Sequence, residues 1–289
     1  SVLSAGLTIG IGAIGPANAS GHRARGDAVS LQACANGAPS EAFGEMYARF
    51  DGAGRVPRLP QPPYHCVSEI LDVSVAPGDA CKDASARARF DVAADAWYLS
   101  DSGNGAMPYS VLSEVLLQPC GWLASHCGFA TGGGAYFRNL DGDIQVEREV
   151  TARTAAIFVE TVLTGFSRMG AMTLVNFDVV AHDEAGAKVA TLTTSFGFFM
   201  REAFARQAGV KVEPAMRALA DAPSAPDPLR DRGATLPGGR LAMLDRVDVF
   251  DPEGGPDGLG ALRASQEVAP GAWYFKAHFF QDQIGRASC

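Results

Sequence analysis

The chain has little of what a nucleic-acid, zinc or membrane protein needs. Its 24 lysines and arginines form no basic block and, set against 32 acidic side chains, leave a net charge of −8. That argues against nucleic acid, whose phosphates demand a concentrated basic face. The six cysteines (34, 66, 81, 120, 127 and 289) include no Cys-x-x-Cys pair and no cysteine–histidine cluster at zinc spacing. Scattered in this way they are expected to be mostly buried, reduced thiols of a cytosolic protein. Cys120 and Cys127, seven apart in one apolar segment, are expected on the same helix face as core packing. The apolar stretch at residues 2–19 is broken by Gly6, Gly10, Gly12, Gly15 and Pro16, so it does not suit a membrane span. It ends Ala17-Asn18-Ala19-Ser20, in imitation of a signal-peptidase site, yet no basic residue precedes it. Within it, Gly10-Ile11-Gly12-Ala13-Ile14-Gly15 matches G-x-G-x-x-G. Pro16 follows at once and no helical pattern opens there, so no dinucleotide site is expected.

What is present is a globular composition, 47% hydrophobic and 19% charged over 289 residues, enough for one large domain or two ordinary ones. It also contains an internal echo. Val92-Ala93-Ala94-Asp95-Ala96-Trp97-Tyr98 returns 176 positions later as Val268-Ala269-Pro270-Gly271-Ala272-Trp273-Tyr274. Upstream of each, Val67-Ser68-Glu69-Ile70 aligns with Leu244-Asp245-Arg246-Val247 at an offset of 177. A period this long is too great for a solenoid and suits two copies of one small domain.

Between these echoes the pattern is uneven. Residues 1–60 are rich in Gly, Ala and Ser and end in Arg55-Val56-Pro57-Arg58-Leu59-Pro60-Gln61-Pro62-Pro63, which can be neither helix nor central strand; they read as an arm. Residues 61–203 form the first unit. Tyr64 to Val75 and Ala86 to Leu99 read as strands. A helix then opens at Met107-Pro108-Tyr109-Ser110, carries Val111, Leu112, Val115, Leu116, Trp122 and Leu123 largely at helical spacing, and ends at Gly128, with a kink expected at Pro119. Gln145 to Val150, Ala155 to Leu163, Met172 to Ala181 and Lys188 to Phe199 read as further strands, with breaks near Gly165, Gly170 and Gly186. Two strands, a long apolar helix and a strand meander describe an α+β fold, an antiparallel sheet wrapped around one central helix. Residues 204–239 read as a linker, and 240–289 as the start of a second unit.

Among the chemically capable side chains, His278 is flanked by Phe275, Phe279 and Phe280 and by itself suits a packed strand histidine as well as a base. Glu114, on an otherwise apolar helix face near Leu117 and Gln118, suits either a helix-rim carboxylate in water or a catalytic carboxyl group. His22, His65, His126 and His182 read as surface or satisfied histidines. Asn139-Leu140-Asp141-Gly142-Asp143 lacks the glutamate that a calcium loop needs and reads as a turn. Glu147-Arg148-Glu149 reads as a solvated strand edge.

Trp273-Tyr274-Phe275-Lys276-Ala277-His278-Phe279-Phe280-Gln281-Asp282 resembles the histidine motif of FabA-type hotdog 3-hydroxyacyl carrier-protein dehydratases. With Ala96-Trp97-Tyr98, Met107-Pro108-Tyr109 and the string Glu114-Val115-Leu116-Leu117-Gln118-Pro119-Cys120-Gly121-Trp122-Leu123-Ala124, it is similar to the tandem dehydratase domains of polyunsaturated fatty acid synthases, over about residues 41–282. The resemblance implies a double hotdog in which His278 of the second unit, as base, faces Glu114 of the first, as acid. Ser100 stands in the first unit where the family has histidine, counted back from Met107. It further implies that Tyr109, Ser110 and Gln118 contact substrate, with free N–H groups at the Tyr109–Ser110 helix start polarising the thioester carbonyl. It implies no metal and no redox cofactor; the 3-hydroxyacyl chain is carried on the phosphopantetheine of an acyl carrier protein domain. The partners implied are that domain, other domains of the same synthase, and a dimer or pseudo-dimer of hotdogs, with no nucleic acid and no membrane, in the cytoplasm. The family motif continues past its aspartate with Pro-Val-Met-Pro-Gly; here Gln283-Ile284-Gly285-Arg286-Ala287-Ser288-Cys289 follows, a string of the kind a sequencing adapter encodes, expected to mark a truncation. On that reading the isolated chain is expected to be inactive and poorly stable, with second-unit strands left unpaired. A hotdog acyl thioesterase and a non-catalytic hotdog scaffold are the alternatives.

Overall fold

The computed structural model describes residues 27–52, 54–170, 172–204, 212–225, 229, 236–255, 257–278 and 281. The apolar stretch with its G-x-G-x-x-G match, His22, Phe279, Phe280 and the terminal string 283–289 lie outside the described residues.

In the segment expected as an arm, the described residues from 27 on are largely helical. Asp27 caps α1 (Ala28–Asn36) by accepting the Ser30 N–H at 2.9 Å, Pro39 opens α2 (Pro39–Phe43), and a 3-10 turn covers Glu45–Phe50. Leu31, Cys34 and Ala35, at i, i+3 and i+4, enter the core together with Phe43, Tyr47 and Phe50. The proline run that follows has no regular structure, as its missing N–H groups require, but buries Val56, Leu59, Tyr64, Cys66 and Val67.

Six strands make one sheet: β1 (Glu69–Val73), β2 (Ser85–Asp91), β3 (Tyr136–Val146), β4 (Ala156–Met169), β5 (Met172–Asp183) and β6 (Lys188–Phe199), in the order β1-β2-β4-β5-β6-β3 with every pairing antiparallel. Between β2 and β3 run a short helix, α3 (Trp97–Asp101), and the long α4 (Tyr109–His126). On α4, Val115, Leu116, Cys120, Leu123 and Ala124 are wholly enclosed, as only a helix covered on both sides can be. The sheet supplies one cover. The N-terminal helices supply the other, through the Phe43–Trp122 ring contact at 6.0 Å and the Tyr47 hydroxyl donating to the Ser125 carbonyl at 2.6 Å. A sheet wrapped in this order around one central helix is the hotdog fold.

Several expectations are corrected. The strand expected to reach Leu99 stops at Asp91, and Trp97–Asp101 is helical, because the turn in which the Ala96 N–H bonds the Ala93 carbonyl redirects the chain. The strand expected at Gln145 to Val150 lies earlier, at Tyr136–Val146, and absorbs the expected Asn139–Asp143 turn. A bulge between Asn139 and Asp141 accommodates that polar string, with Asn139 Nδ2 bonded to the Asp141 carbonyl and to Thr194 Oγ1. Gly165, expected as a break, sits at a second bulge inside β4. Gly170 and Gly186, both at positive φ, turn the chain as expected, and Gly128 (φ 82°) follows the end of α4. α4 runs unbroken through Pro119, and Glu147, just past β3, pairs with Lys188.

After β6 come α5 (Arg201–Phe204) and α6 (Pro214–Asp221), then β7 (Arg246–Asp251), β8 (Ala261–Ser265) and α7 (Trp273–Ala277). Strand, strand, short helix repeats β1, β2 and α3 at the sequence offset. The irregularities repeat as well: β1 bulges between Ile70 and Asp72, and β7 bulges between Val247 and Val249. The two units then exchange contacts. The Gln61 N–H, ahead of β1, bonds the Ala277 carbonyl at the end of α7 at 2.8 Å, and the Gly238 N–H, ahead of β7, bonds the Asp101 carbonyl at the end of α3 at 3.0 Å. Gly238 is the repeat of Gln61, and Ala277 the repeat of Asp101. Trp97 meets its own repeat, Trp273, at 5.9 Å between ring centroids. Reciprocal contacts of this kind define a pseudo-two-fold relation.

Candidate active site

α7 is only five residues long and ends at His278, whose N–H closes the last turn on the Tyr274 carbonyl at 2.8 Å. In the first unit the same bond runs from Ser102 to the Tyr98 carbonyl at 3.2 Å. The residue standing in place of the histidine is therefore Ser102, not Ser100. Ser100 instead turns its hydroxyl back to the Trp97 carbonyl.

Glu114 lies in the second turn of α4, where Val111, Leu112, Val115 and Leu116 take the core positions and leave the carboxyl at the helix edge. The pseudo-two-fold contacts bring α7 against that edge. His278 Nε2 is 3.8 Å from Glu114 Oε1, and the two side chains are 20% and 16% exposed. One turn further on, Gln118 is almost fully enclosed and engaged on both ends of its amide. Its Oε1 accepts the Cys66 N–H at 2.7 Å, so its NH2 faces the other way, donating to the Tyr64 carbonyl at 2.9 Å and to Glu114 Oε2 at 3.1 Å. One carboxylate oxygen is thus tethered and the other is turned toward the imidazole. Burial pushes the Glu114 carboxyl up to about 7, against the opposing effect of the Gln118 hydrogen bond.

The structure brings together Glu114, Gln118 and His278. Ser110 joins them through its carbonyl, which accepts the Tyr64 hydroxyl at 3.1 Å, while Tyr109 is 59% exposed at the helix start. The first turn of α4 has no side-chain cap; the Val111 N–H turns back to the Pro108 carbonyl, and the Tyr109 and Ser110 N–H groups lead the helix. Tyr64 is the participant that sequence reasoning missed. It was expected to open the strand read at Tyr64 to Val75, which in the structure begins only at Glu69, and its ring instead lies edge-on to His278 at 6.0 Å and to Trp273 at 6.1 Å. Gln281 was missed too: its Nε2 donates to the Gly54 carbonyl and its Oε1 accepts the Val56 N–H, fastening the chain after His278 to the first unit.

The remaining described histidines have structural roles or none near the site. His65 is bonded to the Pro60 carbonyl, and His126 is bonded to the Val75 carbonyl and stacked on Trp122 at 4.9 Å; burial lowers the pKa of both. Among the described residues no cluster of three or more His, Cys, Asp or Glu side chains is placed to hold a metal, and no helix is long and apolar enough to cross a membrane. Cys34, Cys66, Cys120 and Cys127 are buried free thiols as expected, and Cys81 is exposed. A base and a buried acid at this separation can together take a proton from one carbon and give one to a leaving group on the next.

Comparison with known proteins gives three findings. Residues 236–287, which include His278, match the family model of the FabA-like domain. The chain is 31% identical over 223 residues to one component of the polyunsaturated fatty acid synthase of Thraustochytrium sp.; the match takes in 68% of this chain and 15% of that protein, so the chain spans a small part of that relative. Among solved structures, a hypothetical thioesterase of Streptococcus pneumoniae with coenzyme A is similar at 12% identity and a TM-score of 0.32, over 45% of this chain and 85% of that one. The PaaI protein of Escherichia coli is similar at 12% identity and 0.31, over 43% and 80%. At these values it is the strand order and the enclosed helix, not the superposition, that identify the fold.

Proposed function

Because this chain belongs to the FabA-like hotdog family, we propose that His278 and Glu114 form a dehydratase centre that removes water from a 3-hydroxyacyl thioester to leave a trans-2-enoyl thioester. Neutral His278 takes the proton from Cα, the released electron pair becomes the Cα–Cβ double bond, and the Cβ–oxygen bond breaks as Glu114 protonates the departing hydroxyl. The centre ends as imidazolium and carboxylate, and return of one proton from the first to the second resets it. No electrons are exchanged. The uncapped N–H groups at the start of α4 suit the thioester oxygen, whose polarisation makes the Cα proton acidic. The relative's place in a fatty acid synthase supports delivery on the phosphopantetheine arm of an acyl carrier protein, with neighbouring synthase domains as partners.

The observation that carries this reading is the 3.8 Å approach of an imidazole from one unit to a buried carboxyl of the other. Its test is the full-length protein with a 3-hydroxyacyl pantetheine thioester, following enoyl product. Glu114→Gln and His278→Ala should each lower turnover by about 100-fold or more with folding intact. Turnover unaffected by either change would leave the scaffold reading, and release of free thiol in place of enoyl thioester would leave the thioesterase reading.

A further inference from the structure

We propose that Tyr64 is a positioning residue for His278, holding the imidazole at the angle and distance from which it faces Glu114. This rests on the dehydratase reading of the pair. Three contacts carry it. The Tyr64 hydroxyl is anchored on the Ser110 carbonyl of α4 at 3.1 Å; its own carbonyl is held at 2.9 Å by Gln118, the residue that also tethers Glu114. Its ring meets His278 edge-on at 6.0 Å and an interplanar angle of 70°. One residue, 1% exposed and held to the helix that carries the acid through both its hydroxyl and its backbone carbonyl, thus forms the wall against which the base rests.

The internal repeat supplies an independent argument. Counting by the offset that relates Gln61 to Gly238 and Glu69 to Arg246, the second-unit residue in the place of Tyr64 is Leu241. The pseudo-two-fold contacts set that segment against the end of α3, where the arginine beside Leu241, Arg240, lies over the Trp97 ring at 5.7 Å. At that end of α3 the histidine position is Ser102. Where one unit presents an imidazole, at His278, the other unit packs Tyr64 on it; at the pseudo-two-fold-related place, where Ser102 stands instead, the other unit supplies the aliphatic Leu241. A residue needed only to fill the core or to pair the units would be wanted in both.

The test uses Tyr64→Leu, which installs the residue of the other copy, and Tyr64→Phe, which keeps the ring and removes only the anchor on Ser110. In the full-length protein Y64L should lower kcat by about 10- to 100-fold, the scale of a catalytic group displaced by about an ångström. It should leave KM nearly unchanged and move the imidazole carbon and proton resonances of His278; Y64F should restore most of kcat and the wild-type resonances. Nuclear Overhauser contacts between the Tyr64 and His278 rings in the wild-type protein, which require no variant to fold, should be present. Unchanged kcat and unchanged His278 resonances in a folded Y64L, or absence of the ring-to-ring contacts in wild type, would overturn the proposal. If wild type makes no enoyl product while the Y64L resonances still move, positioning stands and the dehydratase reading falls.

Discussion

Glu114 is a carboxyl group kept as an acid by its surroundings. Its side chain is 16% exposed and its oxygens meet an amide and an imidazole rather than a lysine or arginine. Raised from an ordinary 4.5 to about 7, it binds its proton more tightly in the folded than in the unfolded chain. The stability this proton contributes is complete below about pH 4.5 and is lost as the pH rises through about 7, a loss on the order of 3 kcal/mol. Glu114→Gln has no such titration and retains an oxygen for the Gln118 amide. Thermal unfolding should therefore show E114Q matching wild type near pH 5 and exceeding it at pH 8, while dehydration is lost. In the wild type, turnover should decline with an apparent pKa of about 7 on the alkaline side as the acid deprotonates.

At the scale of elements, α4 sets the positions of everything else. Leu116 on it is fully enclosed between the sheet and the N-terminal helices. Leu116→Ala should lower stability by about 2 to 5 kcal/mol in denaturant melts without altering the pH at which turnover declines, since Glu114 lies on a different edge of the helix. This helix was legible in the sequence because Pro108 and Gly128 punctuate a long apolar run. So were β4, β5 and β6, whose Val-, Ile-, Thr- and Phe-rich runs are set off by Gly170 and Gly186. Other elements were not. α3 and α7 are too short to show a helical period, and their aromatic residues imitate a strand. α1 and α2 were hidden by a Gly-, Ala- and Ser-rich composition, although Leu31, Cys34 and Ala35 carry the right spacing. The polar string Asn139 to Asp143 has turn chemistry, and only long-range pairing with β6 makes it a strand. Of the site, His278 and Glu114 were reached through the motif they resemble. Tyr64 was not, because its role comes from packing between segments more than 200 residues apart.

For the molecule as a whole, it is the pseudo-two-fold contact between the repeats that brings His278 to Glu114. Trp97 and Trp273 meet at its centre, and the indole N–H of Trp97 also donates to the Pro63 carbonyl at 3.2 Å. A double-mutant cycle of Trp97→Phe and Trp273→Phe, read by denaturant unfolding, should give a coupling energy of about 0.5 to 1.5 kcal/mol between the rings. Additivity would mean that the two residues stabilise their own units separately. Each single change should also reduce turnover, because α7 carries His278 on the turn that follows Trp273.

The same arrangement has a consequence for biosynthesis. A ribosome releases the segment carrying Gln61 and the whole of α4 long before it makes His278, and the first unit can fold while its counterpart is still unmade. During that interval Glu114 has no imidazole beside it. The edge of α4 that carries Glu114 is covered by α7 only after the second repeat has been made and has docked, so the two side chains of the proposed centre come together late in the life of the nascent chain.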